Sequence, residues 1–306
     1  MELRHLRYFV AVADERNFTR AAARLGIGQP PLSQQIRDLE RELGVTLFLR
    51  RPQGAELTPA GIVFLSEARS VLETAQRARM NAVLAQQGQI GRLRLGYASS
   101  VALHPLVSDT IRRFRRLWPD VVLQIDEGNS RELIGRLHED RADAVFIRPG
   151  PADPHETRLL RLSGEPMRAV LPAGHPLVRG ADSRDSIPLA LLAKEPFVLF
   201  ERAVGLSLFD AILSACREAG FEPTVVQEAP QISSVVNLVA AGLGVSVVPE
   251  SITQLHLAGV VYRPIRPPAP LASLGLAAAA GKSSVIVDNL FGLMERESRA
   301  GALPPS

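Results

Sequence analysis

Cysteine is almost absent from this sequence, and so are the residue patterns of covalent and metal chemistry. Cys216 is the single cysteine in 306 residues, which excludes an internal disulfide and a thiolate metal cluster. The six histidines are scattered without the spacing of metal ligands. No nucleophile–base pair and no Walker-type phosphate loop is visible, and the glycine pair in GLGVS is weak evidence for a nucleotide. The sequence therefore argues against an enzyme and predicts no cofactor and no metal, with Cys216 as a buried thiol on the apolar side of a helix.

Long apolar runs and lysine are also scarce. No run of about 18 uncharged apolar residues occurs, so we expect no membrane span. The first residues, MELRHLRYF, lack the apolar core of a signal peptide, so we expect a cytoplasmic protein. Only Lys194 and Lys282 are lysines, so the net charge of +3 rests on arginine. Residues 1–92 hold 13 arginines against nine acidic residues, and this modest N-terminal excess is compatible with binding to nucleic acid.

The stretch FTRAAARLGIGQPPLSQQIR, residues 18–37, predicts two short helices joined by a tight turn. Small apolar residues give the first helix a packing face, and two glycines mark the turn. Pro30 and Pro31 are tolerated because they fall in the first turn of the second helix. The spacing is typical of a helix-turn-helix, whose second helix enters the DNA major groove by its N-terminal end; by itself it fits an ordinary helical hairpin equally well. The buried stripe of the second helix is Leu32, Ile36, Leu39 and Leu43.

Polar residues of this segment are the candidate DNA contacts. Ser33, Gln34 and Arg37 are predicted on the side of the second helix opposite its apolar stripe, where they would face bases or phosphates. The residues that open this helix would position it. At the start of the first helix, after a predicted cap at Asn17, backbone amides and side chains would meet a phosphate. The candidate set from this segment is Thr19, Arg20, Gln29, Pro30, Pro31, Ser33, Gln34 and Arg37.

Two short strands, over residues 45–49 and 55–57, follow with RRPQG as the hairpin tip, which predicts the wing of a winged helix. Arg50 and Arg51 at its base are candidates for backbone or minor-groove contacts, the alternative being solvated side chains. Residues 59–87 then predict one long helix, with a loose coiled-coil seam that would pair two subunits or pack against the C-terminal domain. The seam residues are Leu65, Ala68, Leu72, Ala75, Arg79 and Ala82.

Together these motifs resemble the N-terminal domain of LysR-type transcriptional regulators. AAARL, QPPLSQQIRDLE, LGVTLFLR and LTPAG occur in the family's order. Gly28 is a departure, since the family commonly has serine there and serine would cap the second helix better. The resemblance implies a sequence-specific regulator that binds double-stranded promoter DNA. It also implies a dimer formed through the linker helix, a homotetramer, and RNA polymerase as a further partner, and it leaves activation or repression and the target genes open.

A different pattern starts at Leu93, after the hinge QQGQIGR. Strand-like and helical runs alternate as βαβαβ, which predicts a parallel sheet with helices on both faces. A second region of the same kind follows, and VVYRPI returns toward the first. Two lobes joined by crossing strands resemble a periplasmic solute-binding protein, a module that LysR-type regulators also carry. A solute-binding protein with a fused helical tail would need an export signal, which the sequence does not show.

The predicted fold class is α/β overall, in three parts. A winged helix-turn-helix domain occupies residues 1–58, and a linker and dimerisation helix occupies residues 59–90. A bilobed effector-binding domain of the periplasmic-binding-protein type occupies residues 91–306. Its lobe I covers about 91–161 and 267–306, and its lobe II covers about 162–266.

Polar residues follow the predicted strands at the edge where α/β sheets bind ligands. Free amides at helix starts favour a carboxylate, and serine hydroxyls can donate to it. Arg148, after the strand ADAVFIR, would add a charge-assisted bond, whereas each serine alone fits a simple helix cap as well. The family resemblance favours Ser100 and Ser130 as contacts for an inducer carboxylate, and it favours the aromatic-degradation branch that responds to muconate, benzoate or phenylpropanoid acids. The candidate ligand set is Ser99, Ser100, Asn129, Ser130, Arg148, Phe200, Arg202 and Gln231.

Overall fold

The computed structural model describes residues 1–51, 54–150, 156–178, 185–202, 205–282 and 284–299. The chain forms two compact units, Met1–Ala85 and a second unit that begins at Gln86. The linker helix, predicted as a segment of its own, is therefore part of the first unit for all but its last residue. Among the described helices, none has the length and apolar character needed to cross a lipid bilayer.

Three helices form the core of the first unit. Asn17 caps the second of them as predicted, because its Oδ1 accepts the N–H groups of Thr19 (2.9 Å) and Arg20 (3.1 Å). Gly26 ends this helix at φ +68°, a left-handed conformation that glycine adopts without strain. The predicted buried stripe packs inward, with Leu32 and Leu39 fully enclosed. The helices are α1 (Leu3–Glu15), α2 (Phe18–Leu25) and α3 (Gln29–Leu43).

An antiparallel hairpin follows, and its strands are β1 (Phe48–Arg51) and β2 (Gly54–Leu57). The first strand begins later than predicted, because the Glu40 carboxylate of α3 accepts the N–H groups of Leu47, just before the strand, and of Phe48, its first residue, at 2.7 and 3.1 Å. Arg50 and Arg51 therefore lie within β1 and not after it, which corrects their predicted place at the base of the wing. The predicted hairpin tip includes residues 52–53, which lie outside the described residues.

The long helix α4 (Pro59–Gln86) forms as predicted. The first half of its predicted seam is not free for a partner, because Ala68 is buried and Leu65 and Leu72 pack against the core of the first unit. Arg69 also binds Asp14 of α1 at 2.7 Å. Other positions along the whole helix expose apolar side chains. The exposed large apolar residues are Ile62, Val63, Val71, Met80 and Val83.

The second unit opens with the predicted βαβαβ arrangement. The first strand lies between the other two and is parallel to both. The core of this arrangement contains Phe114 and Trp118. Leu290, Phe291 and Met294 of the C-terminal helix belong to the same buried cluster. The elements are β3 (Ile90–Ala98), α5 (Pro105–Leu117), β4 (Asp120–Gly128), α6 (Ser130–His138) and β5 (Ala144–Ile147). The first of these strands begins three residues before the predicted Leu93.

One long strand, β6 (Thr157–Pro172), joins the two lobes. Its first part is antiparallel to a strand of lobe I, up to the pair Pro166↔Leu271. Its second part lies between two strands of lobe II, starting with Met167↔Pro249. The predicted lobe boundary at residue 161 therefore falls inside a strand that both lobes share.

Lobe II repeats the α/β pattern of lobe I. Two of its strands are parallel, and a backbone bond from Val198 to Val245 (2.9 Å) joins them to the rest of the lobe. Cys216 is fully buried in its core, where burial raises the pKa of the thiol to about 11. The remaining elements are β7 (Pro196–Phe200), α7 (Leu206–Glu218), β8 (Thr224–Ala229), α8 (Ile232–Ala240), β9 (Ser246–Pro249), β10 (Val260–Pro264), β11 (Leu271–Ala279) and α9 (Val285–Arg299).

Candidate nucleic-acid interface and ligand cavity

The outer face of α3 carries a chain of hydrogen-bonded polar side chains. The Gln34 amide donates to Asp38 at 2.9 Å and accepts from the Arg37 guanidinium at 2.7 Å. Arg41 pairs with the same Asp38 at 2.8 Å. Gln34 and Arg37 are exposed, as predicted, and so are the three residues that open the helix. Asp38 was not among the residues predicted from the sequence, although its spacing of four from Gln34 places both on one helix face.

Ser33 does not lie on this exposed face. Its side chain is 4% exposed, and its Oγ accepts a hydrogen bond from Gln29 Nε2 at 2.9 Å. The inward side of α3 is wide enough to include Ser33 beside Leu32, so the narrow apolar stripe predicted from the sequence was wrong at this position. Ser33 holds Gln29 and does not face outward.

The start of α2 and the wing add exposed cations. Arg20 donates to the carbonyl of Glu15 at 2.6 Å, and Thr19 beside it is exposed. The guanidinium of Arg50 lies 5.0 Å from the ring centre of Phe18, a cation–π distance that fixes the direction of this side chain. Arg51, also exposed, pairs with Glu56 across the hairpin at 3.3 Å. Such exposed arginines contribute sequence-independent affinity for phosphates.

A cavity of about 640 Å³ lies between the lobes of the second unit. The ends of β3, β4 and β5 form one wall, and the first turns of α7 and α8 form the opposite wall. All eight candidate ligand residues named from the sequence line it. The start of α7 was not predicted as part of the cavity, because no local motif marks it. The other described side chains that line it are Ala98, Arg131, Ile134, Leu206, Ser207, Leu208, Asp210, Pro230 and Ile232.

Helix starts converge on this cavity, and they differ in how they are capped. At α6, Asn129 Oδ1 accepts the N–H of Glu132 (2.9 Å) and Glu132 accepts the N–H of Asn129 (3.3 Å), which is the predicted capping box. The cap positions of α7 and α8, Gly205 and Gln231, give no side-chain hydrogen bond. The amides of α7 and α8 therefore keep capacity to donate to an acceptor in the cavity.

Arg148 is occupied by the protein itself. Its side chain is 2% exposed, and its guanidinium pairs with Glu165. It also donates to the carbonyls of Ser100 (2.9 Å) and Ser273 (3.0 Å). Burial lowers the pKa of Arg148, an effect that Glu165 opposes. Glu165, 17 residues along the chain, already balances the charge of Arg148, so the bond from Arg148 to a ligand carboxylate stays a prediction that competes with this buried pair.

The Glu165 carboxylate extends this network into lobe II. It accepts the backbone N–H of Ser251 at 2.7 Å and the hydroxyl of the same residue at 3.0 Å. Buried His104 lies within its electrostatic reach. Burial lowers the pKa of His104, Glu165 raises it, and Arg148 lowers it. The imidazole Nδ1 accepts the N–H of Leu106 at 3.2 Å and so caps α5.

Lobe II supplies apolar and charge-balanced surface to the cavity. Phe200 is nearly buried and packs edge-on against Phe209, with ring centres 6.2 Å apart. Arg202 pairs with Asp210 at 3.1 Å. Within the described residues, no group of histidine, cysteine or acidic side chains could hold a metal ion.

The chain matches known proteins along its whole length. The family model described as "Bacterial regulatory helix-turn-helix protein, lysR family" matches residues 3–62, and "LysR substrate binding domain" matches residues 86–298. The uncharacterized HTH-type transcriptional regulator YnfL of Escherichia coli K12 is 43% identical over 87% of this chain and 88% of that protein. BudR of Raoultella terrigena, also an HTH-type transcriptional regulator, is 38% identical over 87% and 90%. Full-length CbnR complexed with its target DNA gives a TM-score of 0.85 at 26% identity, over 97% of this chain and all of that one.

A helix-turn-helix unit joined to a bilobed ligand-binding module defines a DNA-binding regulator with an effector-binding domain. The chain belongs to the LysR family of transcriptional regulators. Relatives found across this length are named as transcriptional regulators, so the chain is not an enzyme, as the sequence indicated.

Proposed function

We propose that this regulator responds to a small organic acid bound in the cavity between its lobes. The observation that carries the proposal is the convergence of hydroxyls and helix starts on one cavity. Ser99, Ser100 and Ser130 lie on one wall, and the amides of α7 and α8 lack side-chain caps on the other. Carboxylate oxygens are the acceptors that such groups favour.

The shape of the cavity supports an acid with an apolar body. Phe200, Leu206 and Ile232 offer apolar surface opposite the serines, and aromatic rings pack well on such walls. This agrees with an aromatic acid such as benzoate and with a role in aromatic catabolism. Phe200, Arg202 and Gln231 would then contact the body of the effector, with Asn129 holding the start of α6.

On the DNA side, we propose that Gln34 and Arg37 read bases while Arg20, Thr19, Arg50 and Arg51 bind phosphates. Gln29, Pro30 and Pro31 would set the position of α3 in the major groove, with Ser33 holding Gln29. The exposed apolar side chains of α4 would pair two chains, since a helix-turn-helix protein that reads two half-sites needs a dimer. A homotetramer in the cytoplasm that contacts RNA polymerase completes the proposal.

Effector binding would act by changing the arrangement of the lobes, and it can do so only to the extent that the acid binds one arrangement better. β6 and the Glu165 network cross from one lobe to the other, so a shift of the serine wall would reach lobe II. Subunit contacts would then change the spacing of the DNA-binding units.

The test is a thermal-shift screen of the full chain against small aromatic and dicarboxylic acids, benzoate and muconate included. A ligand of the folded state raises the melting temperature once its concentration passes its Kd. The double variant Ser100→Ala with Ser130→Ala should lose the shift, whereas the control Ser108→Ala, on the exposed side of α5, should keep it. No shift with any acid, or an unchanged shift in the double variant, would refute the organic-acid proposal.

A further inference from the structure

Four charged side chains from the described part of the chain line the cavity, and partners balance three of them. Arg148 is neutralised by buried Glu165. Arg202 is neutralised by Asp210, at 3.1 Å. Among the described residues that line the cavity, the fourth charged side chain, Arg131, is therefore the one whose charge is not compensated.

Arg131 is the second residue of α6 and is exposed to the cavity. It makes no ion pair with any described residue. Its neighbour Glu132 does not compensate it through the cavity, because the Glu132 carboxylate turns back to accept the N–H of Asn129 at 3.3 Å. The guanidinium thus stands beside the serine wall with its five donors available.

The lobe II wall has the opposite character. Asp210 contributes a carboxylate to the lining, and its pair with Arg202 at 3.1 Å leaves this wall without an uncompensated cation. Leu206, Leu208 and Ile232 supply the remaining surface as apolar side chains. The amides at the start of α8 can donate to an uncharged oxygen, but a second carboxylate on this side would lose hydration without gaining an uncompensated cation.

We infer that Arg131, and not Arg148, binds the effector carboxylate, and that the effector is a monocarboxylate with an apolar body. This inference rests on the proposed organic-acid function and narrows it, because one uncompensated cation on one wall matches one anionic group. A dicarboxylate of the same length would place its second charge against the apolar side chains of lobe II and the already paired Arg202 and Asp210, where the cost of desolvating that charge is not offset.

The experiment compares matched acids on the full chain by isothermal titration calorimetry. The acids of each pair share a carbon skeleton and differ in that a terminal methyl group is replaced by a second carboxylate: sorbate with trans,trans-muconate, hexanoate with adipate, and 4-methylbenzoate with terephthalate. We expect the monoacid of a binding pair to bind at least about tenfold more tightly than its diacid. Asp210→Asn should reduce the ratio of monoacid to diacid affinity, because Arg202 loses its partner and can pair with the second carboxylate of a diacid.

Arg131→Gln should weaken monoacid binding by about tenfold or more. Arg136→Gln is the matched control, since it removes the same charge from the same helix but pairs with Asp126 at 3.8 Å and does not line the cavity. Tighter binding of the diacids, or equal affinities in the two variants, would overturn this inference and leave the organic-acid function intact. Failure of all six acids to bind would overturn both.

Discussion

The guanidinium of Arg148 and the carboxylate of Glu165 form a buried ion pair behind the ligand cavity. Arg148 follows the last parallel strand of lobe I, and Glu165 lies on the strand that continues into lobe II. Through Glu165 the pair reaches the backbone N–H of Ser251, and through Arg148 it reaches the carbonyl of Ser100 on the cavity wall. One pair of residues thus connects the effector wall, the crossing strand and the second lobe.

Removing one partner of this pair should destabilise the second unit strongly. Glu165→Gln leaves the Arg148 charge buried without its counter-ion, and such losses cost about 3 kcal/mol or more. Urea unfolding followed by the fluorescence of the single tryptophan, Trp118, reports the free energy of unfolding of this unit. The control is Glu222→Gln, whose exposed pair with Arg217 should contribute less than about 1 kcal/mol. Equal effects of the two substitutions would contradict the structural role of the buried pair.

His104 should make the stability of the second unit depend on pH. Its folded-state pKa lies below the ordinary 6.5, chiefly through burial, so the unfolded chain binds more protons near that pH. Stability should therefore fall as pH drops from about 7.5 through 6.5. His104→Asn keeps an acceptor for the Leu106 N–H and should reduce this fall. Urea unfolding at a series of pH values measures this fall in stability, with His138→Asn on the exposed end of α6 as the control. If His104→Asn loses as much stability over this pH range as the unchanged chain, His104 is not its cause.

Arg37→Ala should weaken binding to specific DNA by about 10- to 100-fold, because a base contact made by arginine contributes about 1–3 kcal/mol. Binding to a fragment selected from random DNA, measured by gel shift at fixed salt, gives the effect. Arg112→Ala removes an exposed arginine from α5, in the second unit, and should leave affinity within about twofold. An Arg37→Ala variant that still prefers the selected fragment by the original ratio would exclude base reading by this residue.

Two helical glycines should respond in opposite ways to alanine. At Gly61 a Cβ would stand 2.2 Å from the carbonyl oxygen of Leu47, so Gly61→Ala should destabilise the first unit by about 2 kcal/mol or more. At Gly135 nothing lies within 4 Å, so Gly135→Ala should stabilise the second unit by about 0.5–1 kcal/mol. Thermal melting followed by circular dichroism measures the effect of each substitution. An unchanged melting temperature in Gly61→Ala would show that the backbone at Leu47 can move away from the added Cβ.

Local patterns were enough for the helices of the first unit and for the order of elements in the second. The cap at Asn17, the helix opened by Pro30 and the βαβαβ alternation each depend on a few neighbouring residues, and each was predicted correctly. The cavity wall was also found in large part, because strand ends of one sheet must meet at one edge. The start of α7 was missed, since its place in the cavity depends on how lobe II packs.

The sequence by itself determined the family, the helix-turn-helix and the two-lobed α/β plan, because periodicity, caps and turn residues act over short distances. Only the tertiary structure decided which charges are free. Arg148 and Glu165 are 17 residues apart and become a buried pair only when the lobes close on β6, and Ser33 turned inward because the packing side of α3 is wider than its apolar residues indicate. Charge compensation and burial depend on contacts between distant segments, so the cation left for an effector, Arg131, became visible only in the folded chain.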